Sequence, residues 1–325
     1  MPLPKERLER LNFLKIGMLG FGAQGRAESL NLKRSGVEFR LGLRKNGESW
    51  KKAQSDGFEP ESLEDVIRSS QILLMNLPDQ TQAQVFREFI KNSEVRYLVF
   101  AHGFNTHFKL IPVEKSGPEH ILIAPKGAAS GLINFYGTEN ALPVVLAFES
   151  AKRSTIEPEE KSWVEDLALA IGCHPKALFW ARFKDETVCD LFSEQALLCG
   201  GVSSLLRRTY EVLTEAGYNP ETAYFETLFE LKLIVDMIWK EGITGMRARI
   251  SPTARYGDIT RGDRIFDQNI KEKMKEVLTE VENGKFAQEF LKESQSDQYK
   301  SLAKKQADHP IELIGARLRE KIRSS

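Results

Sequence analysis

Cysteine is scarce: the 325 residues contain three, Cys173, Cys189 and Cys199, with no C-x-x-C pair. An odd count without paired spacing excludes a disulfide framework and a zinc knuckle, so the three are expected to be buried thiols. Long hydrophobic runs are also missing. Segments such as Ile72-Leu73-Leu74-Met75 and Pro143-Val144-Val145-Leu146-Ala147-Phe148 fall far short of the roughly 20 residues that span a bilayer, so no membrane partner is expected. Neither charge sign dominates. Lys+Arg and Asp+Glu tie at 46 each, leaving no global field to draw the chain onto nucleic acid. The opening Met1–Arg10 segment mixes both signs with no apolar stretch after it, so a cytoplasmic protein is expected.

What is present is an alternation. β-branched or aliphatic runs at Leu14–Leu19, Phe39–Leu43, Ile72–Leu77, Tyr97–Ala101, His120–Ala124 and Pro143–Phe148 are separated by helical stretches, for example Gly25–Ser35 and Glu61–Ser69. This is the pattern of βαβ units, and it predicts a six-stranded, doubly wound Rossmann-type α/β domain. After a last extended stretch near Trp180, apolar residues recur at helical spacing, as in Leu191, Ala196, Leu197 and Leu205, which predicts an all-α second half. The acidic run Asp185-Glu186-Thr187 reads as a helix start. The expected domains are residues 1–181 and 182–325.

Gly20-Phe21-Gly22-Ala23-Gln24-Gly25 follows the first strand and opens the first crossover helix. In that setting Gly20 permits the tight turn, Gly22 lets a pyrophosphate approach the backbone, and Gly25 lets helix and strand pack closely. The second strand ends in Arg44 and Lys45, followed by Ser49, where an NAD site would carry an acid. Cations and a hydroxyl suit a 2′-phosphate, so NADPH is the expected cofactor. Two carboxylate pairs then occur at helical spacing in apolar sequence, Asp190 with Glu194 and Glu226 with Glu230. Like charges so placed repel unless a cation lies between them, and hard oxygen donors point to Mg²⁺ rather than zinc.

With these motifs stand Leu77-Pro78-Asp79-Gln80-Thr81-Gln82, Ala101-His102-Gly103-Phe104-Asn105, Ala124-Pro125-Lys126-Gly127, Gly217-Tyr218-Asn219-Pro220-Glu221-Thr222 and Glu230-Leu231-Lys232-Leu233-Ile234-Val235-Asp236. In order and nearly end to end, they resemble the ketol-acid reductoisomerases (acetohydroxy-acid isomeroreductases), specifically the short-chain class I form. The resemblance implies alkyl migration and NADPH reduction of 2-acetolactate or 2-aceto-2-hydroxybutyrate to 2,3-dihydroxy acids in branched-chain amino-acid biosynthesis, with a knotted helical domain. It implies two Mg²⁺ held by Asp190, Glu194, Glu226 and Glu230, substrate contact by Ser251, and proton transfer or polarisation by His102 and Lys126. By the same resemblance the cofactor touches Gly20 to Gly25, Arg44, Ser49, Asp79, Gln80, Thr81, Gln82 and Ala129. A homodimer or higher oligomer is implied, with Glu226, Glu230 and Ser251 supplied by the partner chain.

The sequence departs from the family pattern at Ala128-Ala129-Ser130, at Gly47 where a second serine is usual, at Phe229 and at Arg255. Two other readings stand beside this one. A plain NADP-dependent 2-keto or 2-hydroxy acid dehydrogenase would need no dimetal site, and a non-catalytic nucleotide-binding paralogue would need no His102 or Lys126.

Overall fold

The computed structural model describes residues 3–323, and the chain divides into two compact units, Met1–Thr187 and Val188–Ser325. The boundary falls inside the helix Phe183–Ser193.

The first unit is built on one sheet of seven strands: β1 (Ile16–Leu19), β2 (Arg40–Gly42), β3 (Ile72–Met75), β4 (Tyr97–Phe100), β5 (Glu119–Pro125), β6 (Leu142–Glu149) and β7 (Cys173–Trp180), in the order β2-β1-β3-β4-β5-β6-β7. Six strands are expected from the sequence. The extended stretch before Trp180 is the seventh, pairing in parallel with β6. The sheet is also mixed, because β6 runs antiparallel to β5. β1 to β5 are parallel neighbours.

Parallel strands are covered on both faces, and the burial shows it: β1, β3 and β4 are buried at every position. Ile16, Met18, Ile72, Leu74, Val99 and Ile121 pack on one side with Leu32 and Leu167 from helices Ala23–Ser35 and Pro158–Ala170. Leu19, Leu73, Met75, Leu98 and Leu122 pack on the other with Val66, Phe86 and Ile90. Reversal of strand order at β1 and β3 makes a topological switch point, and ligands of such sheets bind at the carboxyl ends of the strands there.

The second unit is helical. Its helix starts follow capping chemistry legible in the sequence: Asn219, Ser251, Asp267 and Ser296 each accept backbone N–H bonds, with Pro220 and Pro252 at first helical positions. Tyr210, Ala223, Tyr224, Ile311 and Leu318 form a small buried cluster. Many large apolar side chains of this unit stay in solvent instead, among them Trp239 at 79%, Val212 at 67% and Phe229 at 54% exposure. Gly242, with φ of 73°, breaks the helix Glu230–Arg249.

The cysteine expectation is corrected in part. Cys173 is buried, but Cys189 and Cys199 are exposed: Cys189 is on an open face of the helix Phe183–Ser193, and Cys199 is in the turn after Glu194–Leu198.

Candidate active site

Four loops at the carboxyl ends of β1, β3, β4 and β5 bring together residues far apart in sequence. A cavity of about 260 Å³ opens there, lined by Gln24, Asn76, Leu77, Asp79, His102 and Pro125 among others.

The glycine turn supplies one wall. Gly20 has φ of +101°, and a Cβ there would lie 2.2 Å from the Asn76 carbonyl oxygen. A Cβ on Gly25 would meet the Gly20 carbonyl at 2.6 Å. Both are therefore required by the fold's own packing. Gly22 differs: a Cβ there meets nothing within 4 Å, and its φ of −70° is open to any residue. The space over Gly22, beside uncapped N–H groups at the start of helix Ala23–Ser35, fits the pyrophosphate of a dinucleotide. Gly20→Ala is accordingly expected to cost about 2 kcal/mol or more of stability through strain and clash. Gly22→Ala should change denaturation midpoints little, yet weaken dinucleotide binding at least about tenfold by blocking close approach. Chemical denaturation and fluorescence titration on the two variants separate the cases.

Other expected cofactor residues divide by what their side chains do. Phe21 is buried and packs edge-on against Phe58 at 5.6 Å, so only its backbone is open to a ligand. Ala23 begins the helix and is exposed, whereas Arg44 and Ser49 lie exposed beyond β2. Asp79, Gln80, Thr81 and Gln82 begin the helix Asp79–Val85. Gln82 is buried and donates through Nε2 to the Leu77 and Met75 carbonyls at 2.8 and 3.2 Å, pinning the end of β3. Asn105 Nδ2 donates to Asp79 Oδ1 at 3.2 Å and to Gln82 Oε1 at 3.1 Å. Burial raises the Asp79 carboxyl above its usual range, opposed by His102 and Asn105. Ala129 starts the short helix Ala129–Asn134 and packs partly on the core.

The chemistry centres on a residue that sequence reasoning left as an ordinary helix-start acid. Glu186 is buried, and its Oε1 accepts from Lys126 Nζ at 2.7 Å and lies 3.5 Å from His102 Nδ1. The Gly103 N–H approaches Oε2 at 3.4 Å. A Cβ on Gly103 would sit 2.1 Å from Thr187 Oγ1, so the absent side chain is what lets the helix Phe183–Ser193 come close to the His102 loop. Burial opposes the Glu186 charge, but His102 and Lys126 outweigh it and hold the carboxyl below its usual range. His102, Lys126 and Glu186 thus form a cluster at the strand ends whose chemistry is suited to moving a proton. By contrast His120 is buried on β5 beside Thr106 Oγ1 at 2.9 Å, and burial pushes it down to about 3, which keeps it neutral and structural.

Asp190 follows Glu186 by one turn of the same helix. Glu194 begins a π-helical turn, Glu194–Leu198, while Glu226 lies within another, Phe225–Phe229, and Glu230 follows it directly. Such turns are rare and concentrate at functional sites. Asp190 is half-buried and Glu194, Glu226 and Glu230 are exposed. Among the described residues, no three of these four carboxylates offer oxygens within 4.8 Å of one another. The donor chemistry fits hard divalent cations, but one copy of the helical unit does not gather the set. Ser251 is exposed and caps the helix Pro252–Ile265, accepting from the Ala254 N–H at 3.2 Å.

A mixed Rossmann-type sheet with an open glycine cradle at its switch point, facing an acid–base cluster, defines a nucleotide-dependent oxidoreductase. Residues 10–176 match the model of the acetohydroxy acid isomeroreductase NADPH-binding domain, and residues 183–324 that of the ketol-acid reductoisomerase C-terminal domain. The chain belongs to the ketol-acid reductoisomerase family, oxidoreductases of amino-acid biosynthesis. Among solved structures it is similar to an NADH-preferring ketol-acid reductoisomerase from an uncultured archean, at 34% identity and a TM-score of 0.86 over 96% of both chains. A Plasmodium falciparum pyrroline carboxylate reductase with NADP bound shares the fold at 15% identity and a TM-score of 0.53, covering 84% of this chain and 98% of that one. A semialdehyde dehydrogenase NAD-binding protein from Cupriavidus necator does so at 16% and 0.56, covering 81% and 99%. No helix among the described residues is long and apolar enough to cross a membrane.

Proposed function

We propose that the chain catalyses Mg²⁺-dependent alkyl migration and then NADPH reduction, converting 2-acetolactate or 2-aceto-2-hydroxybutyrate to 2,3-dihydroxy acids. The observation that carries this reading is the ion-paired Lys126 and Glu186 with His102, set at the strand ends where the glycine cradle opens. Lys126 holds a proton at Nζ, positioned by Glu186, and polarises a substrate oxygen. His102 relays a proton to or from the reacting hydroxyl. Asp190, Glu194, Glu226 and Glu230 would hold two Mg²⁺, which when bound supply Lewis acidity to adjacent substrate oxygens. Ser251, at a helix N-terminus favourable to anions, contacts the substrate carboxylate.

Arg44 and Ser49 face the 2′-phosphate and make NADPH the preferred cofactor, while Asp79, Gln80, Thr81, Gln82 and Ala129 border the cofactor. The preference is this chain's own question, since the archaeal relative is NADH-preferring. The decisive assay follows oxidation of NADPH and of NADH with 2-acetolactate, with and without Mg²⁺. Turnover that requires Mg²⁺ and is faster with NADPH supports the reading. Reduction of a supplied 2-keto acid in EDTA, without rearrangement of 2-acetolactate, would replace it with a plain dehydrogenase.

The active form is a homodimer or a multiple of it, in which Glu226, Glu230 and Ser251 come from the partner. The exposed Val212, Phe229, Leu233 and Trp239 support this, because so many large apolar side chains left in solvent on one helical unit favour association. Light scattering at assay concentration should give at least twice the chain mass. A fully active single chain would overturn the shared-site arrangement.

A further inference from the structure

Helix Ala23–Ser35 buries a carboxyl that neither the glycine turn nor the proposed chemistry uses. Glu28 is 2% exposed. Its Oε1 accepts from Gln24 Nε2 at 2.8 Å, and its Oε2 accepts from Asn76 Nδ2 at 2.6 Å. Leu74, Val99, Ile123, Leu167 and Ile171 surround the rest of the niche. Burial raises the Glu28 carboxyl to about 7, with the Asn76 and Gln24 amides pulling the other way. An acid kept in such surroundings is costly unless its partners need it. Those partners are both in the wall of the cavity at the switch point.

In its ionised form the carboxylate only accepts, and both amides turn their N–H₂ ends toward it, Gln24 to Oε1 and Asn76 to Oε2. Each amide then has its carbonyl oxygen left for other partners. We propose that Glu28 is a positioning residue for the nicotinamide-ribose half of the dinucleotide: it fixes Gln24 and Asn76 so that two carbonyl acceptors meet donors of that half, the ribose hydroxyls and the carboxamide N–H₂. The inference rests on the dinucleotide reading above and adds a specificity device to it.

Glu28→Gln preserves volume but leaves a single carbonyl acceptor and adds two donors, so one of the two amides loses its fixed direction. The Kd of NADPH or NADH, whichever the unmodified protein binds more tightly, should rise about tenfold by fluorescence titration, the size expected for a lost or misdirected hydrogen bond. Adenosine 2′,5′-bisphosphate or ADP, which lacks the nicotinamide nucleoside, should bind within about twofold of the unmodified protein by calorimetry. Gln24→Leu guards against a folding failure of the first variant, since Gln24 is only half-buried. It should weaken binding of the reduced dinucleotide alone. In that background Glu28→Gln has one amide left to satisfy, and its added effect should fall well below tenfold. Unchanged dinucleotide affinity in Glu28→Gln overturns the proposal, as does equal loss for both ligands, which would mark Glu28 as a packing residue. If the unmodified protein binds neither ligand, the dinucleotide reading itself fails and this one with it.

Discussion

Asp190→Asn is expected to lower the rate of 2-acetolactate rearrangement by about 10³-fold or more, the scale of losing a Lewis-acid contribution of several kcal/mol. The substitution keeps the side-chain shape on the helix Phe183–Ser193 and removes only the charge that would offset a divalent cation. Dinucleotide affinity should stay within about twofold, because the main determinants of dinucleotide binding are backbone N–H groups of the glycine turn, which this substitution does not touch. Stopped turnover with intact cofactor binding and a loss of Mg²⁺ affinity by calorimetry is the combination that marks a metal ligand. Should rearrangement in the unmodified protein survive thorough chelation, the carboxylates are structural and the Mg²⁺ reading is wrong.

Glu186→Gln should lower kcat by about 10²-fold while changing the KM for the dinucleotide little, because proton-transfer groups contribute on that scale. The amide is nearly isosteric, yet it can no longer bear the charge that Lys126 approaches at 2.7 Å. With its –NH₂ turned toward the ammonium it would repel it. Lys126 is one-third exposed, so the folding penalty should be modest, about 1 to 2 kcal/mol, after allowance for solvent screening. Pre-steady-state measurement of rearrangement and hydride transfer separately would test this. A kcat unchanged in Glu186→Gln would reduce the pair to a structural ion pair.

The parts legible in the sequence are those set by local pattern. The glycine turn, the apolar strands β1 to β5 and the capped helices of the second unit follow from periodicity and turn chemistry. The reversal of β6 does not, since nothing in an apolar eight-residue run states its direction. β7 is only partly buried and contains His174-Pro175-Lys176, so it lacks the uniform apolar run of a central strand. Glu186 was hidden because an acid in a first helical turn is the commonest placement for one; its burial is made by Gly103, more than eighty residues earlier in the chain. Gln82 and Phe21 sit inside motifs whose neighbours Asp79 and Gly22 border the cavity or open space, while their own side chains face the core. Spacing alone carries no sign of that difference.

The small cluster of Tyr210, Ala223, Tyr224, Ile311 and Leu318 gives the helical unit a different thermodynamic character from the sheet. Its exposed apolar side chains contribute little burial within one chain. In the dimer proposed above that burial enters through association, and mass action then makes the unit's melting temperature rise with protein concentration. A substitution at Trp239, 79% exposed in the single chain, would leave a diluted monomer almost unaffected and weaken a concentrated sample. If that dimer forms, a stability of this half of the molecule has meaning only at a stated concentration.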